Sequence, residues 1–366
     1  MKTIFVDSKG VEYVPDKNNW KPADGLFQVK HGAIRFPLKM ISVRPATMWR
    51  YQEALPVSEK ISSSLSLGEG MTPLVPFDDQ EPNLWVKMDY LMPTGSFKDR
   101  GAAVLIAKAK ELGVTSVIAD SSGNAATSIA AYSARAGIEC HVFVPDSVSE
   151  KKLAQVKAHG AIVHKIAGTR EETAVAAQSA VEETDAFYAS HVYNPFFHEG
   201  TKTFSFEIWE QLQFKVPDQI ILPVGNGTLL LGAYIGFTNL LNAGMIDKLP
   251  KLVAVQAENC APLAHAFTSS SPVTSVENEG TAAEGIAIAD PARGEQIIQA
   301  VHASKGTIIT APEEDIDEAK AELAKKGFYV EPTTAATYAA YKKYKIKHVT
   351  ESERVVIALC GSGLKK

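Results

Sequence analysis

Apolar residues recur along this chain in two patterns, one typical of helices and one typical of buried strands. From Ala102 to Leu112 they fall at helical spacing, and Gly113 is placed to end that helix. Short apolar runs between turn residues predict buried strands. The predicted strands span residues 116–119, 140–144, 161–166, 219–224, 252–256 and 355–359. The predicted helices span residues 102–112, 124–136, 149–159, 170–184, 228–241, 313–326 and 333–344.

This alternation of strands and helices predicts an α/β protein in which helices cover both faces of parallel sheets. Near residues 185–200 the sequence becomes rich in aromatic residues, which we interpret as the chain crossing between two α/β domains. The first 40 residues, called here the N-terminal arm, contain only short β-like pieces and turn residues. We predict an edge hairpin or a dimer arm there.

Length and composition agree with two soluble domains. The chain has 366 residues, and a typical domain has about 150. Hydrophobic residues make up 45% and charged residues 22%, the balance of a globular chain with a large core. The net charge of -5 provides no basic surface for a polyanion, so we do not expect nucleic acid as a partner.

The sequence also predicts neither a membrane span nor a metal site. The most apolar stretch, residues 219–237, is interrupted by Pro223 and by glycines, whereas a membrane helix needs about 20 uninterrupted apolar residues. The first residues, MKTIFVDSKG, lack the apolar core of a signal peptide.

Cys140, Cys260 and Cys360 form no CxxC pair, which favours a reducing compartment. We therefore expect a cytoplasmic protein.

The first of four segments with candidate chemistry contains Lys98. A Gly-Ser-Phe turn places this lysine at the start of a predicted helix, where the positive helix end and partial desolvation favour a neutral amine. A Schiff-base lysine requires a neutral amine. Taken alone, an ordinary solvated lysine is the commoner interpretation.

The other three segments follow predicted strands. Residues 120–124 put hydroxyls and backbone N–H groups at a helix start, which suits a carboxylate or a phosphate, although a plain N-cap explains them equally well. Residues 224–228 combine glycines with a helix start, but they match neither a dinucleotide fingerprint nor a Walker loop. Residues 359–363 place a thiol and a hydroxyl in a glycine turn, for which a purely structural role is also plausible.

Together these segments resemble the threonine synthase family of fold type II pyridoxal-phosphate enzymes, in the tryptophan synthase β-like superfamily. The resemblance covers nearly the whole chain. In family order, its motifs are GEGMTPL at 68–74, SFKDRG at 96–101, SSGN at 121–124, GNGT at 225–228, EPTTAA at 331–336 and GSGLK at 361–365. It implies two doubly wound α/β domains with the cofactor, pyridoxal 5′-phosphate, in the cleft between them.

The resemblance also implies a role for each segment. Lys98 matches the lysine that binds the cofactor covalently and moves the α-proton, and Asn124 matches the asparagine that hydrogen-bonds the cofactor's 3′-oxygen. The residues matched to the loop that grips the substrate carboxylate are Ser121, Ser122 and Gly123. The residues matched to the cofactor's phosphate cup are Gly225, Asn226, Gly227 and Thr228.

The position that faces the pyridine nitrogen in this family is Cys360, with Ser362 as the alternative. A thiol or a hydroxyl is a weak partner for that nitrogen, so the ring is expected to be a modest electron sink. Such a ring suits elimination and replacement better than transamination.

The sequence departs from the family in two places. Many members carry an amino-terminal zinc ribbon, but the N-terminal arm keeps only a ribbon-like cadence without cysteines, so no structural zinc is expected. In users of O-phosphohomoserine an arginine binds the substrate's phosphate, and here that position is Phe197, which supplies no cation. His191 is the candidate substrate-binding residue nearby, and it or His198 can partly substitute.

The resemblance divides the chain into three parts. Residues 1–40 are a metal-free remnant of the ribbon, residues 41–92 with 185–366 form a large domain that binds the cofactor phosphate, and residues 93–184 form a small mobile domain with Lys98 and the carboxylate loop. A homodimer is suggested by the family and by no particular residue.

The leading functional hypothesis is a pyridoxal-phosphate-dependent carbon–oxygen lyase similar to threonine synthase. It would abstract the α-proton of a small amino-acid substrate and then eliminate or replace a β- or γ-substituent. Phe197 argues against O-phosphohomoserine as that substrate. The alternatives are a serine/threonine-type ammonia-lyase and a catalytically silent protein that binds the cofactor. The leaving group and any second substrate do not follow from the sequence.

Overall fold

The computed structural model describes residues 3–365. Its strands are β1 (Thr3–Val6), β2 (Glu12–Tyr13), β3 (Gln28–His31), β4 (Leu74–Pro76), β5 (Leu84–Lys87), β6 (Ser116–Ala119), β7 (Glu139–Pro145), β8 (Ile162–Ile166), β9 (Phe187–Tyr188), β10 (Gln219–Pro223), β11 (Lys251–Ala257), β12 (Thr307–Ala311) and β13 (Val355–Ala358). Its helices are α1 (Leu38–Ile41), α2 (Glu59–Leu65), α3 (Lys98–Glu111), α4 (Asn124–Ala136), α5 (Glu150–Ala158), α6 (Arg170–Glu183), α7 (Pro195–Thr201), α8 (Thr203–Gln211), α9 (Thr228–Asn242), α10 (Pro262–Ser269), α11 (Gly294–Ala303), α12 (Ile316–Lys325) and α13 (Pro332–His348).

The chain divides into two compact units. The first contains the residues up to Gly70 together with Lys98–Thr201, and the second contains Met71–Phe97 together with Lys202–Lys365. Residues 41–70 and 185–201, which the predicted division placed in the large domain, group with the first unit. They do so because α2 and α7 pack against α3, and β9 pairs with β6. How the functions are distributed among domains stays a prediction.

The main sheet of the first unit is parallel, in the order β8-β7-β6-β9. Successive residues of β6 point to opposite faces. Val117 and Ala119 join a core with α3, α4 and α5, whereas Ile118 packs with Ala177 and Val181 of α6. Helices therefore cover both faces of this sheet, as the sequence predicts.

The N-terminal arm forms an antiparallel sheet in the order β2-β1-β3. Phe5 is fully buried and stacks near Phe27, with ring centroids 5.1 Å apart. Tyr13 meets the edge of Phe27 at the same distance, 5.1 Å. The prediction of short β-strands in this segment is confirmed, and an aromatic cluster holds them together.

The second unit contains a six-stranded sheet in the order β12-β11-β10-β13-β5-β4. All neighbours are parallel except β4 and β5. Every residue of β10 and of β13 is buried, as expected of central parallel strands. Beside this core, the fully buried Lys87 donates to the Thr72 carbonyl at 2.6 Å and pairs with buried Glu207 at 2.7 Å.

Across residues 3–365, no helix of the chain is both long enough and apolar enough to span a bilayer.

Candidate functional site

Three of the predicted site segments meet at one edge of the first unit's parallel sheet. Because parallel strands end at the same edge, the loops that follow β6 and β9 emerge together there. Residues 120–124 follow β6, and His191 follows β9. Helix α3 leads into β6 from the opposite edge, so its first residue, Lys98, also lies at this carboxyl edge. The effect of Lys98 on the pKa of His191 agrees with this proximity.

Lys98 owes its position to the packing of its helix. It is half-buried, while the next two residues, Asp99 and Arg100, are fully buried. Helix α3 packs closely against α7. A Cβ added at Gly101 would come within 2.2 Å of the Phe197 ring. A Cβ at Gly200 would come within 1.9 Å of the Arg100 carbonyl oxygen. Only glycine at both positions permits this contact, which fixes the start of α3.

The loop at residues 121–124 leads directly into α4. The helix begins at Asn124 after Gly123, which as a glycine has no side chain with which to cap the helix. Ser121 and Ser122 are half-buried, and the Ser121 hydroxyl accepts from the Gly123 N–H at 3.4 Å. Hydroxyls and backbone N–H groups at a positive helix end suit a carboxylate.

His191 is buried and neutral. Burial lowers the pKa of His191 well below its ordinary value, and nearby Lys98, Arg170 and His198 lower it further. At neutral pH its imidazole can donate or accept a hydrogen bond, but it carries no charge with which to hold a phosphate.

No functional role was predicted from the sequence for Arg170 or for Asp120. Arg170 is the exposed first residue of α6, and it acts electrostatically on both His191 and Asp120. Burial raises the pKa of Asp120 to about 6, although Arg170 and Tyr188 oppose this rise. No local motif marks Arg170. It reaches this edge because α6 begins where β8 ends, at the same edge of the sheet.

Phe197 belongs to the core. It is fully buried, packs against Gly101, and meets the edge of the His191 ring with centroids 5.9 Å apart. A guanidinium placed there would be buried among apolar groups, at a large desolvation penalty. Replacing Phe197 by arginine is therefore not a practical way to restore a phosphate site.

The second unit brings its two predicted segments to the carboxyl edge of its own sheet. Neighbouring parallel strands β10 and β13 lead into residues 224–228 and 359–363. Helix α9 begins at Thr228 after Gly227, whose φ of +74° lies in the left-handed region that favours glycine. A Cβ at Gly225 would come within 2.7 Å of Ile288 Cγ1 and 3.2 Å of the Gly285 carbonyl oxygen. The loop is thus packed so closely that a side chain at Gly225 would displace its neighbours.

The motif at residues 331–336 supports the turn at Cys360. The Thr334 hydroxyl accepts from the N–H groups of Cys360 at 3.1 Å and Gly361 at 3.3 Å. The Glu331 N–H donates to the Gly361 carbonyl at 2.9 Å. Cys360 is buried, and its carbonyl accepts from the Phe97 N–H at 2.9 Å. Ser362 is also buried, and its hydroxyl accepts from the Leu364 N–H at 3.2 Å.

Comparison with known proteins identifies relatives over most of the chain. The model of a family described as pyridoxal-phosphate dependent enzyme matches residues 65–361. Threonine synthase of Methanocaldococcus jannaschii is 38% identical over 331 residues, which cover 88% of this chain and 81% of that protein. Threonine synthase of Methanosarcina acetivorans is 35% identical over 369 residues, covering 98% of this chain and 90% of that protein.

A solved structure shares the fold. The processed form of threonine deaminase isoform 2 from Solanum lycopersicum aligns with a TM-score of 0.72 at 20% identity, over 87% of this chain and 92% of that one. The prediction of fold type II is confirmed.

Proposed function

We propose, from the premise that this chain belongs to the threonine synthase family of pyridoxal-phosphate-dependent enzymes, that Lys98 removes the α-proton of an amino acid before a β- or γ-substituent is eliminated or replaced. The chain is a pyridoxal-phosphate-dependent lyase, as the sequence predicts. Its substrate and leaving group are the subject of the proposal. The observation that carries the proposal is the grouping of Lys98, the 121–124 loop and His191 at one sheet edge.

The residues fit pyridoxal phosphate by their chemistry. Lys98 supplies an amine at a helix start, and the closely packed glycine loop at residues 225–227 leads directly into α9. We infer that Gly225–Thr228 hold the phosphate through N–H groups at the start of α9, and that Asn124 and Cys360 contact the ring. When bound, the cofactor supplies an electron-withdrawing ring that stabilises negative charge at the substrate's α-carbon.

The chain's own residues perform the remaining tasks. Ser121, Ser122 and the N–H groups at the start of α4 bind and orient the substrate carboxylate. The amine of Lys98 accepts the α-proton and holds it for return or transfer. His191, being neutral, faces the substrate side chain with a hydrogen-bonding group and no charge.

This arrangement disfavours O-phosphohomoserine. The family's arginine is replaced by the buried Phe197, and His191 supplies no compensating charge. Each lost charge-assisted contact weakens phosphate binding by about 1.5–3 kcal/mol, or roughly one to two decades. We therefore propose a smaller or uncharged β- or γ-substituted amino acid as the substrate.

A panel of amino acids tests this proposal. We expect kcat/KM for serine, threonine or O-acetyl amino acids to exceed that for O-phosphohomoserine by about tenfold or more. Efficient threonine formation from O-phosphohomoserine would contradict the proposal. If Arg170→Gln then abolished that activity, the phosphate would be assigned to Arg170.

An ammonia-lyase is the second candidate function, and the uncharged His191 favours it. A hydroxyl leaving group needs no cationic site. Release of ammonia and a keto acid from serine or threonine alone would support this alternative over a replacement reaction. If no amino acid in the panel changes the cofactor's absorption, the chain only binds the cofactor.

Two further expectations stay predictions. A homodimer is inferred from the family alone, and analytical ultracentrifugation tests it. A cytoplasmic location is inferred from the three free cysteines, which favour a reducing compartment, and cell fractionation tests it.

A further inference from the structure

The N-terminal arm contacts the segment that follows β9, residues 190–199, and its immediate surroundings. Phe5 of β1 packs against Phe196, with ring centroids 4.9 Å apart. Trp20 meets the edges of Tyr188 at 4.7 Å and of Tyr193 at 5.7 Å. The arm therefore contacts residues on both sides of His191.

A buried contact between a histidine and a carboxylate connects the same two regions. His31, the last residue of β3, lies with its Nε2 2.8 Å from Oε2 of Glu199 in α7. Their side chains are only 7% and 1% exposed. Removing either side chain takes away a buried polar contact, which is costly to lose, so this contact holds the arm and α7 in register.

The position of α7 is transmitted to the site through close packing. Its residues Phe197 and Gly200 lie directly against Gly101 and Arg100 at the start of α3, three and two residues after Lys98. His191 precedes α7 by four residues and meets the Phe197 ring. Because the two helices are in close contact at these glycines, a shift of α7 moves both His191 and the start of α3.

We propose that the N-terminal arm is a positioning element for the substrate side of the site, and that His31 is its positioning residue, acting through Glu199 on residues 190–199. This inference rests on the proposed function for the assignment of His191 to substrate binding. In place of the family's zinc ribbon, the arm uses an aromatic cluster and the buried contact between His31 and Glu199.

Hydrogen exchange and kinetics on the holoenzyme test the proposal. In His31→Gln we expect amide exchange of residues 190–199 to rise about tenfold, because their local opening becomes easier. We expect KM for the amino acid to rise about tenfold while kcat changes less than about threefold, because binding rather than chemistry is disturbed. The double variant His31→Gln/Glu199→Gln pairs two neutral amides and should recover most of both effects.

Lys30→Gln is the matched control. It removes the adjacent ion pair of β3, in which Lys30 lies 2.7 Å from Glu12 on the exposed face of the arm. This variant should leave residues 190–199 and KM unchanged. Should His31→Gln fail to fold, Trp20→Leu tests the other contact and should raise exchange at residues 188–193.

The proposal is overturned if His31→Gln raises exchange only within the arm, while exchange at residues 190–199 and KM stay as in the wild type. It is also overturned if Lys30→Gln raises exchange at residues 190–199 and KM as much as His31→Gln does. The exchange measurement needs no amino-acid substrate. If the enzyme proves inactive on every amino acid but exchange responds as expected, the proposed function fails and the positioning role stands.

Discussion

The first unit presents titratable side chains at the carboxyl edge of its sheet, whereas the second presents mainly backbone. In the first, Lys98 and His191 lie together, and burial shifts the pKa of His191 downward and that of Asp120 upward to about 6. In the second, the glycine loop before α9 and the turn at Cys360 are shaped by steric fit and by the Thr334 hydroxyl. We propose from this contrast that the first unit moves protons and selects the substrate, while the second anchors the cofactor. Variants in the first unit should therefore lose activity, whereas variants in the second should lose affinity for the cofactor.

Lys98→Ala should have the largest effect. Loss of the amine removes the group that takes the α-proton, so kcat/KM should fall about 10⁴-fold or more. Lys110→Ala, on the exposed end of the same helix, should stay within about twofold. Steady-state assays on the best substrate of the panel measure kcat/KM of both variants. A Lys98→Ala enzyme that retains a tenth of the activity would exclude Lys98 as the base.

Gly225→Ala should weaken cofactor binding while Lys98 remains in place. The added Cβ would come within 2.7 Å of Ile288 Cγ1, so the loop must shift. We expect the dissociation constant of pyridoxal phosphate to rise about 10–100-fold, as for an overpacked site. Gly32→Ala is the control, since no atom lies within 4 Å of its added Cβ. Fluorescence titration of the apoenzyme measures both, and equal affinities would place the phosphate elsewhere.

Cys360→Ser and Cys360→Asp test the anchor in the second unit. Serine is close in size to cysteine, so that variant should keep the cofactor and activity within about tenfold. Aspartate should stabilise a protonated ring nitrogen and change the cofactor's absorption after substrate is added. An unchanged spectrum in the aspartate variant would point to Ser362 instead.

Asp120→Asn should have the smallest effect, confined to pH dependence. Burial raises the pKa of Asp120 from an ordinary 3.8 to about 6, so the folded state binds more protons than the unfolded state between these values. The wild type should therefore lose stability as pH rises from about 4 to about 6. The asparagine variant should lack this decline. Melting temperatures across that range would reveal it, and parallel curves would show that Asp120 titrates normally.

The metal-free state of the N-terminal arm also stays a prediction. Among residues 3–365, no group of three or more His, Cys, Asp or Glu side chains is placed to hold a metal ion. Elemental analysis of the purified protein tests the expectation, and stoichiometric zinc lost on deletion of the arm would contradict it.

Local patterns predicted the regular parts of the fold well. Strand β6 and helix α4 have the predicted bounds, because a short apolar run defines the strand and Gly137, with a φ of +65°, ends the helix. Helix α3 begins at Lys98, as the motif predicts, whereas the apolar period alone begins at Ala102, since the first turn carries polar residues that are buried only in the folded unit. The sequence missed β12 and α7, where threonines and aromatic residues obscure the expected period.

The site was predictable only where motifs are contiguous. Lys98, the 121–124 loop and the glycine cup each occupy one segment that can be compared with the family. The electrostatic effect of Arg170 on His191 and the contact of His31 with Glu199 link residues distant in sequence, and only the folded chain brings them together. Phe197 was interpreted as part of a pocket because sequence comparison gives a position without its burial.

Reduction with borohydride followed by peptide mapping tests the central claim most directly. Purified protein supplied with pyridoxal phosphate should show the absorption of a lysine-bound cofactor, and reduction should fix one label per chain on the peptide that contains Lys98. Addition of a substrate amino acid before reduction should diminish that label, because the amine is then released to act as the base. A colourless protein, or a label on another lysine, would contradict the account.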